Sequence, residues 1–426
     1  MPQQHSKHVM RDLTAVYLSF DRFPSPKGAA THIDQFIRAL GKHLGEIHLL
    51  TLPPQVRELL AINGVDSALE EGIDFDTYSF WQAPGVQHFQ IPAEGKHLFE
   101  RTRSFRTHWW RWWKDHLNGC PADIVHFRSI FEGYPIARDK SRLARCIIYE
   151  VNGLPSIELK YHYPSVASDS ELLKKLTQQE DKCLHAADHI VTVSETNKTH
   201  IAGRGVQKDR IHVIPNGVDL EIFDAPPEGR TQGILNREVS LLYAGGITSW
   251  QGVQVAIEAL ELLRRDYPAT LNIVGPSKPK QRKEIERRIW KLGLSKFVHM
   301  KPAVSKQELV RLHHQADIVL APLTACDRNI EQGCCPLKLL EALACQAIVV
   351  ASDIPVVTEL VQHGEHAILV RPGSAKALKD GCLHVIGNQA EMELMAHRGY
   401  LHARKLSWSV ATDRLLSIYD QAMKSL

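Results

Sequence analysis

A chain of 426 residues with 44% hydrophobic and 23% charged residues is long for one core and composed as a globular protein, which suits two units of about 200 residues each. Its net charge of +3 excludes a globally basic surface, so nucleic acid is not an expected partner and any basic patch is local. Eight cysteines without a C-x-x-C pair predict reduced thiols in a cytoplasmic protein. No apolar run approaches the ~20 residues of a bilayer span, and the polar start MPQQHSKHVMRDL lacks a signal-peptide core. The expectation is a protein that is soluble or lies on a membrane surface.

In chain order, Thr14 to Phe20 reads as a buried strand, followed by the turn-rich Pro24-Ser-Pro-Lys-Gly28 and a helical face of Ile33, Phe36, Ile37 and Leu40. Strand, glycine loop and helix open an α/β sheet and set the loop at its ligand edge. On this pattern alone Gly28 serves a tight turn as readily as a ligand. Ile47 to Leu52 is the next strand, and residues 53–95 show no readable period. In 97–117, Leu98, Phe105, Trp109, Trp112 and Trp113 recur at helical spacing among Arg101, Arg103, Arg106, Arg111 and Lys114. Either the tryptophans pack inward beneath solvated charges, or the helix makes a peripheral contact with an anionic membrane.

Asp123 to Ser129 is a strand carrying His126 and Arg128, and Cys146 to Glu150 another that runs into Asn152-Gly153. Polar groups at strand ends face the crevice of such sheets, although a lone histidine is as readily structural. A helix at 171–187, a strand at 190–194, a helix at 196–203 and the turn in VIPNGVD follow, with a linker at Pro226–Gly233. The alternation then restarts, with strands near 241–244, 271–275, 297–298, 317–321 and 367–370 and helices near 252–263, 281–293, 306–314, 375–386 and 408–423. Strand–helix alternation twice over means two parallel-sheet domains.

The stretch from Arg328 to Leu360 is the most informative. After a loop marked by Asn329, Gln332 and Gly333, Pro336 stands where a first helical residue belongs. Leu337, Leu340, Leu343 and Ala344 keep a helical apolar spacing, and Ile348 to Ala351 reads as a strand. A helix start is a ready anion site, and Lys338 and Glu341 fall at its mouth. On spacing alone they could be a plain surface ion pair.

The segments RNIEQGCCPLKLLE, AGGITSWQG, DIVHFR, EVNGLPSIELKYHYP and VIPNGVD together resemble those of the family 4 glycosyltransferases, retaining enzymes of the GT-B fold. That resemblance implies two Rossmann-like domains facing across a cleft. The acceptor side would be 1–218, with helix 407–426 packing back on it, and the sugar-nucleotide side 219–406. It implies a UDP- or GDP-type sugar donor, a glycan, lipid-linked or small-molecule acceptor, and no required cofactor or metal. Lys338, Arg128 and His126 take the catalytic places. Donor contacts would come from Gly28, Gly245, Gly246, Gln251, Arg328, Asn329, Gly333, Cys334, Cys335, Pro336, Leu337, Lys338 and Glu341, with Lys301 another candidate cation. Glu150, Asn152 and Gly153 lie on the acceptor side. The chain departs from the family pattern in four places: Lys27-Gly28 stands where most members have two glycines, Gly333 replaces the first of two glutamates, Gly246 and Gln251 replace a loop Arg and Lys, and Arg128 replaces a second histidine. Two alternatives stay open, a catalytically silent sugar-nucleotide-binding subunit and a nucleotide-sugar epimerase of the same fold.

Overall fold

The computed structural model describes residues 13–25, 28–55, 81–227 and 237–426. Residues 1–12, Lys27 and most of the expected linker lie outside the described residues. The first sheet contains β1 (Ala15–Arg22), β2 (Ile47–Leu52), β3 (Val86–Gln90), β4 (Ala122–Phe127), β5 (Ala144–Val151), β6 (His189–Thr192) and β7 (Ile211–Val213), in the order β3-β2-β1-β4-β5-β6-β7. The second contains β8 (Val239–Ala244), β9 (Ala269–Val274), β10 (Val298–Lys301), β11 (Ile318–Ala321), β12 (Val349–Ser352) and β13 (Ile368–Val370), in the order β10-β9-β8-β11-β12-β13. Pairing is parallel throughout. Parallel sheets are covered on both faces, which is why β1, β5, β8 and β11 read as nearly continuous apolar runs.

Each sheet changes direction beside its first strand, between β1 and β4 in one and between β8 and β11 in the other. Such a switch leaves a crevice beyond the carboxyl ends of those strands. Gly28, at the start of its helix, and the segment at Arg128 lie at the first switch. The Gly245 loop and the stretch before Leu337 open at the second. Helix Gly28–Leu44 buries Ile33, Phe36 and Leu40 beneath the first sheet beside the last helix, Trp408–Lys424, which supplies Leu415, Ile418 and Tyr419. Val218 N–H donates to the Leu406 carbonyl at 2.9 Å just before the chain makes that return.

Helix Leu98–Leu117 covers the opposite face. Trp109, Trp112 and Trp113 are 1%, 6% and 0% exposed in the first core, beside Phe105 and Phe127. A buried tryptophan removes on the order of 200 Å² from water, so the sheet recruits these rings. A tryptophan-anchored membrane contact through 97–117 therefore loses its anchors, and Arg103, Arg111 and Lys114 form the solvated side. Among the described residues no helix is long and apolar enough to cross a membrane.

Two local expectations shift. Strand β3 lies within the stretch that showed no period, because it is an edge strand with no fully buried residue. Residues Arg328–Gln332 wind into one wide helical turn, and the next helix begins at Leu337. Pro336 thus stands one place before the helix, in extended backbone with φ −76° and ψ 104°.

Candidate functional site

On the second lobe, helix Leu337–Ala344 begins directly beyond the wide turn and buries Leu339, Leu340 and Leu343. Its amphipathic spacing fixes which side Lys338 takes, and that side faces the β8 loop. Lys338 is 8% exposed, and its Nζ finds no hydrogen-bond partner. The ammonium stands 4.4 Å from the centre of the Tyr243 ring. A Cβ on Gly245 would come within 2.9 Å of Nζ, so glycine at this place is what lets the lysine lie against the loop. Burial lowers the Lys338 ammonium from 10.5 to about 7, against smaller opposing effects of Cys334 and Glu341. Glu341 keeps part of its surface, yet burial pushes its carboxyl up to about 7 against Lys306 and Lys338.

The loop after β8 adds two more buried polar atoms without partners, Thr248 Oγ1 and Gln251 Oε1. Buried polar groups are nearly always satisfied, so three orphans around one loop and one helix start mark a place built for something polar. The other sequence-derived donor residues divide. Gly246 and Gln251 belong to this loop. Asn329 is spent on structure, donating to the Trp250 carbonyl at 2.9 Å and the Thr324 carbonyl at 2.8 Å. Arg328 Nε lies 2.9 Å from Glu158, and Lys301 lies 3.9 Å from Glu308. Lys338 is thus the candidate cation without a carboxylate in ion-pair range. Cys334 and Cys335 are buried, and the Cys335 carbonyl accepts from Asn216 Nδ2 at 2.9 Å.

On the first lobe the expected acceptor-side groups collapse into one internal network. In register, β1 sets Tyr17 beside His126 on β4, and two residues along the same face of β5 lies Glu150. Glu150 is fully buried. It accepts from Tyr17 Oη at 2.7 Å and Arg128 Nε at 2.7 Å, and from Asn152 Nδ2. His32 Nδ1 stands 3.1 Å and His126 Nε2 3.2 Å from its oxygens. Burial opposes its charge, but Arg128, His32 and His126 together hold the carboxyl well below the usual range. Burial also opposes the Arg128 charge, and Glu150, Tyr17 and Asp21 outweigh it.

Arg128 donates as well to Asp21 at 3.0 Å and to the Ala29 carbonyl at 3.2 Å. His126 is 0% exposed, lies 2.9 Å from Tyr419 Oη through Nδ1, and is kept neutral by burial. His126 and Glu150 therefore brace the sheet and do not present themselves to a substrate. Gly153 packs against the Glu158 carboxylate. His32 and Asp21 were not among the sequence-derived candidates. The signal that could have found them is the strand parity that makes Glu150 a buried acid in need of partners.

The two lobes touch around the same stretch. A Cβ on Gly28 would sit 3.3 Å from Leu337 Cδ1, so the start of the first-lobe helix abuts the second-lobe helix start. Leu154 N–H donates to Gln332 Oε1 and Gln332 Nε2 to Glu158, both at 2.9 Å. Lys160 and Tyr161 both donate to Asp327, while Tyr161 and His162 lie edge-on to Trp250. Gly333, at φ +86°, passes so close that a Cβ would lie 2.7 Å from Asn197 N. That contact accounts for the absence of a side chain where the resemblance puts a glutamate.

Known proteins agree with this architecture. Residues 26–222 match the model of Glycosyltransferase Family 4, and residues 228–402 that of Glycosyl transferases group 1. A D-inositol 3-phosphate glycosyltransferase of Jonesia denitrificans is 28% identical over 227 residues, 50% of this chain and 52% of that protein. The match thus spans about half the length of that relative. Among solved structures, sucrose-phosphate synthase from Thermosynechococcus elongatus superposes with a TM-score of 0.75 at 18% identity, covering 97% of this chain and 100% of the other. Anabaena HepE in complex with UDP does so at 0.68 and 15% identity, covering 96% and 100%. Between them the two glycosyltransferase models take in most of the chain, family 4 in its first half and group 1 in its second, on a GT-B fold.

Proposed function

We propose that this chain is a retaining glycosyltransferase that moves a hexose-type sugar from a UDP- or GDP-type donor to a glycan, lipid-linked or small-molecule acceptor. In this reading the donor lies on the second lobe, residues 219–406, and the acceptor on the first, residues 1–218 with the returning helix. The observation that supports it is the partnerless Lys338 ammonium lying against Gly245, in the loop that also carries the partnerless Thr248 and Gln251. A diphosphate would give Lys338 the anion it lacks, Thr248 Oγ1 would donate to a phosphate oxygen, and Glu341 would take the ribose hydroxyls. The UDP held by HepE supports uridine as the first base to try.

Departure of the diphosphate builds negative charge on its terminal oxygen. A fixed cation and the amide groups at the start of the helix after Pro336 stabilise that charge as it develops. The acceptor hydroxyl then attacks from the face the diphosphate leaves and passes its proton to the departing phosphate oxygen, so configuration is retained and no separate base is needed. Arg128 enters through position: locked by Glu150 and Asp21, it holds the Ala29 carbonyl at the start of helix Gly28–Leu44, next to the second-lobe helix start.

A panel of UDP- and GDP-sugars tests the reading. A true donor raises the melting temperature by mass action and transfers its sugar to an acceptor with unchanged anomeric configuration by NMR. Stabilisation without transfer or donor hydrolysis would favour a silent nucleotide-binding subunit. The missing loop cations at Gly246 and Gln251 and the missing glutamate at Gly333 favour that second reading, while Gly333 and Arg128 argue against an epimerase. No stabilisation by any sugar nucleotide would refute both.

A further inference from the structure

Helix Pro279–Lys291 runs from the carboxyl end of β9 to the edge strand β10. Its inner side is fixed by Ile285 and Ile289, both buried in the second core. Its flanks neutralise themselves, with Arg282 2.8 Å from Glu286 and Arg288 2.6 Å from Glu258. The outward side is different. Lys280, Lys283, Arg287 and Lys291 are exposed there and form no ion pair among the described residues, and Glu284 is the acid among them. Between them stands Trp290, 73% exposed, the most exposed of the large apolar side chains among the described residues.

Basic faces are ordinarily just solvated. An indole held out among uncompensated cations is the unusual part, because its amphipathic ring is most stable where water meets lipid headgroups. The contrast with helix Leu98–Leu117 is direct: both are basic and tryptophan-bearing, but there the rings are core and here the ring is outside. The face is about 20 Å long at 1.5 Å per residue and begins at the sheet edge where the cleft opens. We propose that this outward face docks the protein on an anionic lipid surface, with cations on headgroup phosphates and Trp290 at their depth. The inference does not depend on which donor the cleft takes.

Co-sedimentation of the full chain with vesicles tests it. The protein should pellet with phosphatidylglycerol-containing vesicles at low salt, stay in solution with pure phosphatidylcholine, and be released by high salt. Each cation near such a surface is worth about five-fold in partitioning, the equivalent of ~1 kcal/mol. Reversing Lys283→Glu and Arg287→Glu together should then cost well over ~25-fold, and Trp290→Ala several-fold with the salt dependence kept. Both are surface changes, and unchanged melting temperatures establish that the fold is intact. Arg103→Glu with Arg111→Glu on the other basic helix should leave binding as it was. The proposal is overturned by absence of vesicle binding, by equal binding to neutral vesicles, or by variants of this face that bind like wild type. Loss through the Arg103/Arg111 pair instead, or binding to heparin without binding to vesicles, overturns it too.

Discussion

Lys338 and Arg128 occupy comparable ground, each buried at the switch point of its sheet where the two lobes meet, yet they are prepared in opposite ways. Arg128 is given two carboxylates and a carbonyl by its own lobe. Lys338 is given an aromatic face and, among the described residues, no hydrogen-bond partner. A buried charge without a partner is expensive, and a lysine in that position yields by giving up its proton. The difference separates a cation that holds the protein together from one kept in reserve for a ligand.

The largest effect that would break the comparison is on stability. Arg128→Met leaves Glu150 as a fully buried carboxylate without its main counter-ion, and should cost ~3–5 kcal/mol. For a unit of about 200 residues that lowers the melting temperature by roughly 10 °C. Adding Glu150→Gln should recover most of the loss. A wild-type melting curve for Arg128→Met would mean that the network does not support the lobe.

Lys338→Met should behave in reverse. Transfer should fall by ~100- to 1,000-fold, the usual cost of losing one preorganised charge contact to a leaving group. The ligand-free protein should melt at the same temperature or higher, because a solitary buried cation has been removed. Paired rate and melting measurements decide the point. A destabilised Lys338→Met with near-normal activity would assign the lysine to structure.

Gly333→Ala probes the seam between them. The left-handed backbone and the proximity of Asn197 together should cost about 1–3 kcal/mol, read as a lower denaturation midpoint. A glutamate at this position should fit no better. Activity raised by Gly333→Glu would show that the close approach to residues 194–197 gives way easily.

Much of the scaffold was visible in the amino-acid order, because a buried parallel strand and a helix with one apolar side leave different periods. The alternation from Thr14 and again from Leu241 and the helix after Pro336 follow from that, whereas the return of the last helix was implied by the family resemblance, because a period does not say where a helix packs. The Glu150 network was not visible. Tyr17 reads as one more apolar residue in a strand, and His32 as an ordinary first-turn residue. Only the β1–β4–β5 register and the packing of helix Gly28–Leu44 on that sheet bring them to an acid more than a hundred positions away. Period says which face a side chain takes, not what stands on the neighbouring strand. For the same reason Asn329 and Arg328 looked available for a ligand, whereas tertiary contacts with Trp250 and Glu158 had already engaged them.

The central claim is that Lys338 is held close to neutrality until a diphosphate arrives. With its ammonium lowered to about 7, the free protein at pH 8 carries Lys338 mostly unprotonated, and a bound diphosphate restores the charge. Affinity for the diphosphate should therefore weaken as pH rises above about 7. Calorimetric titration of UDP or GDP at pH 8, in buffers of different ionisation enthalpy, measures the protons exchanged. The account predicts uptake of close to one proton per nucleotide bound, absent in Lys338→Met. Binding without proton uptake, or uptake that survives in Lys338→Met, would contradict it.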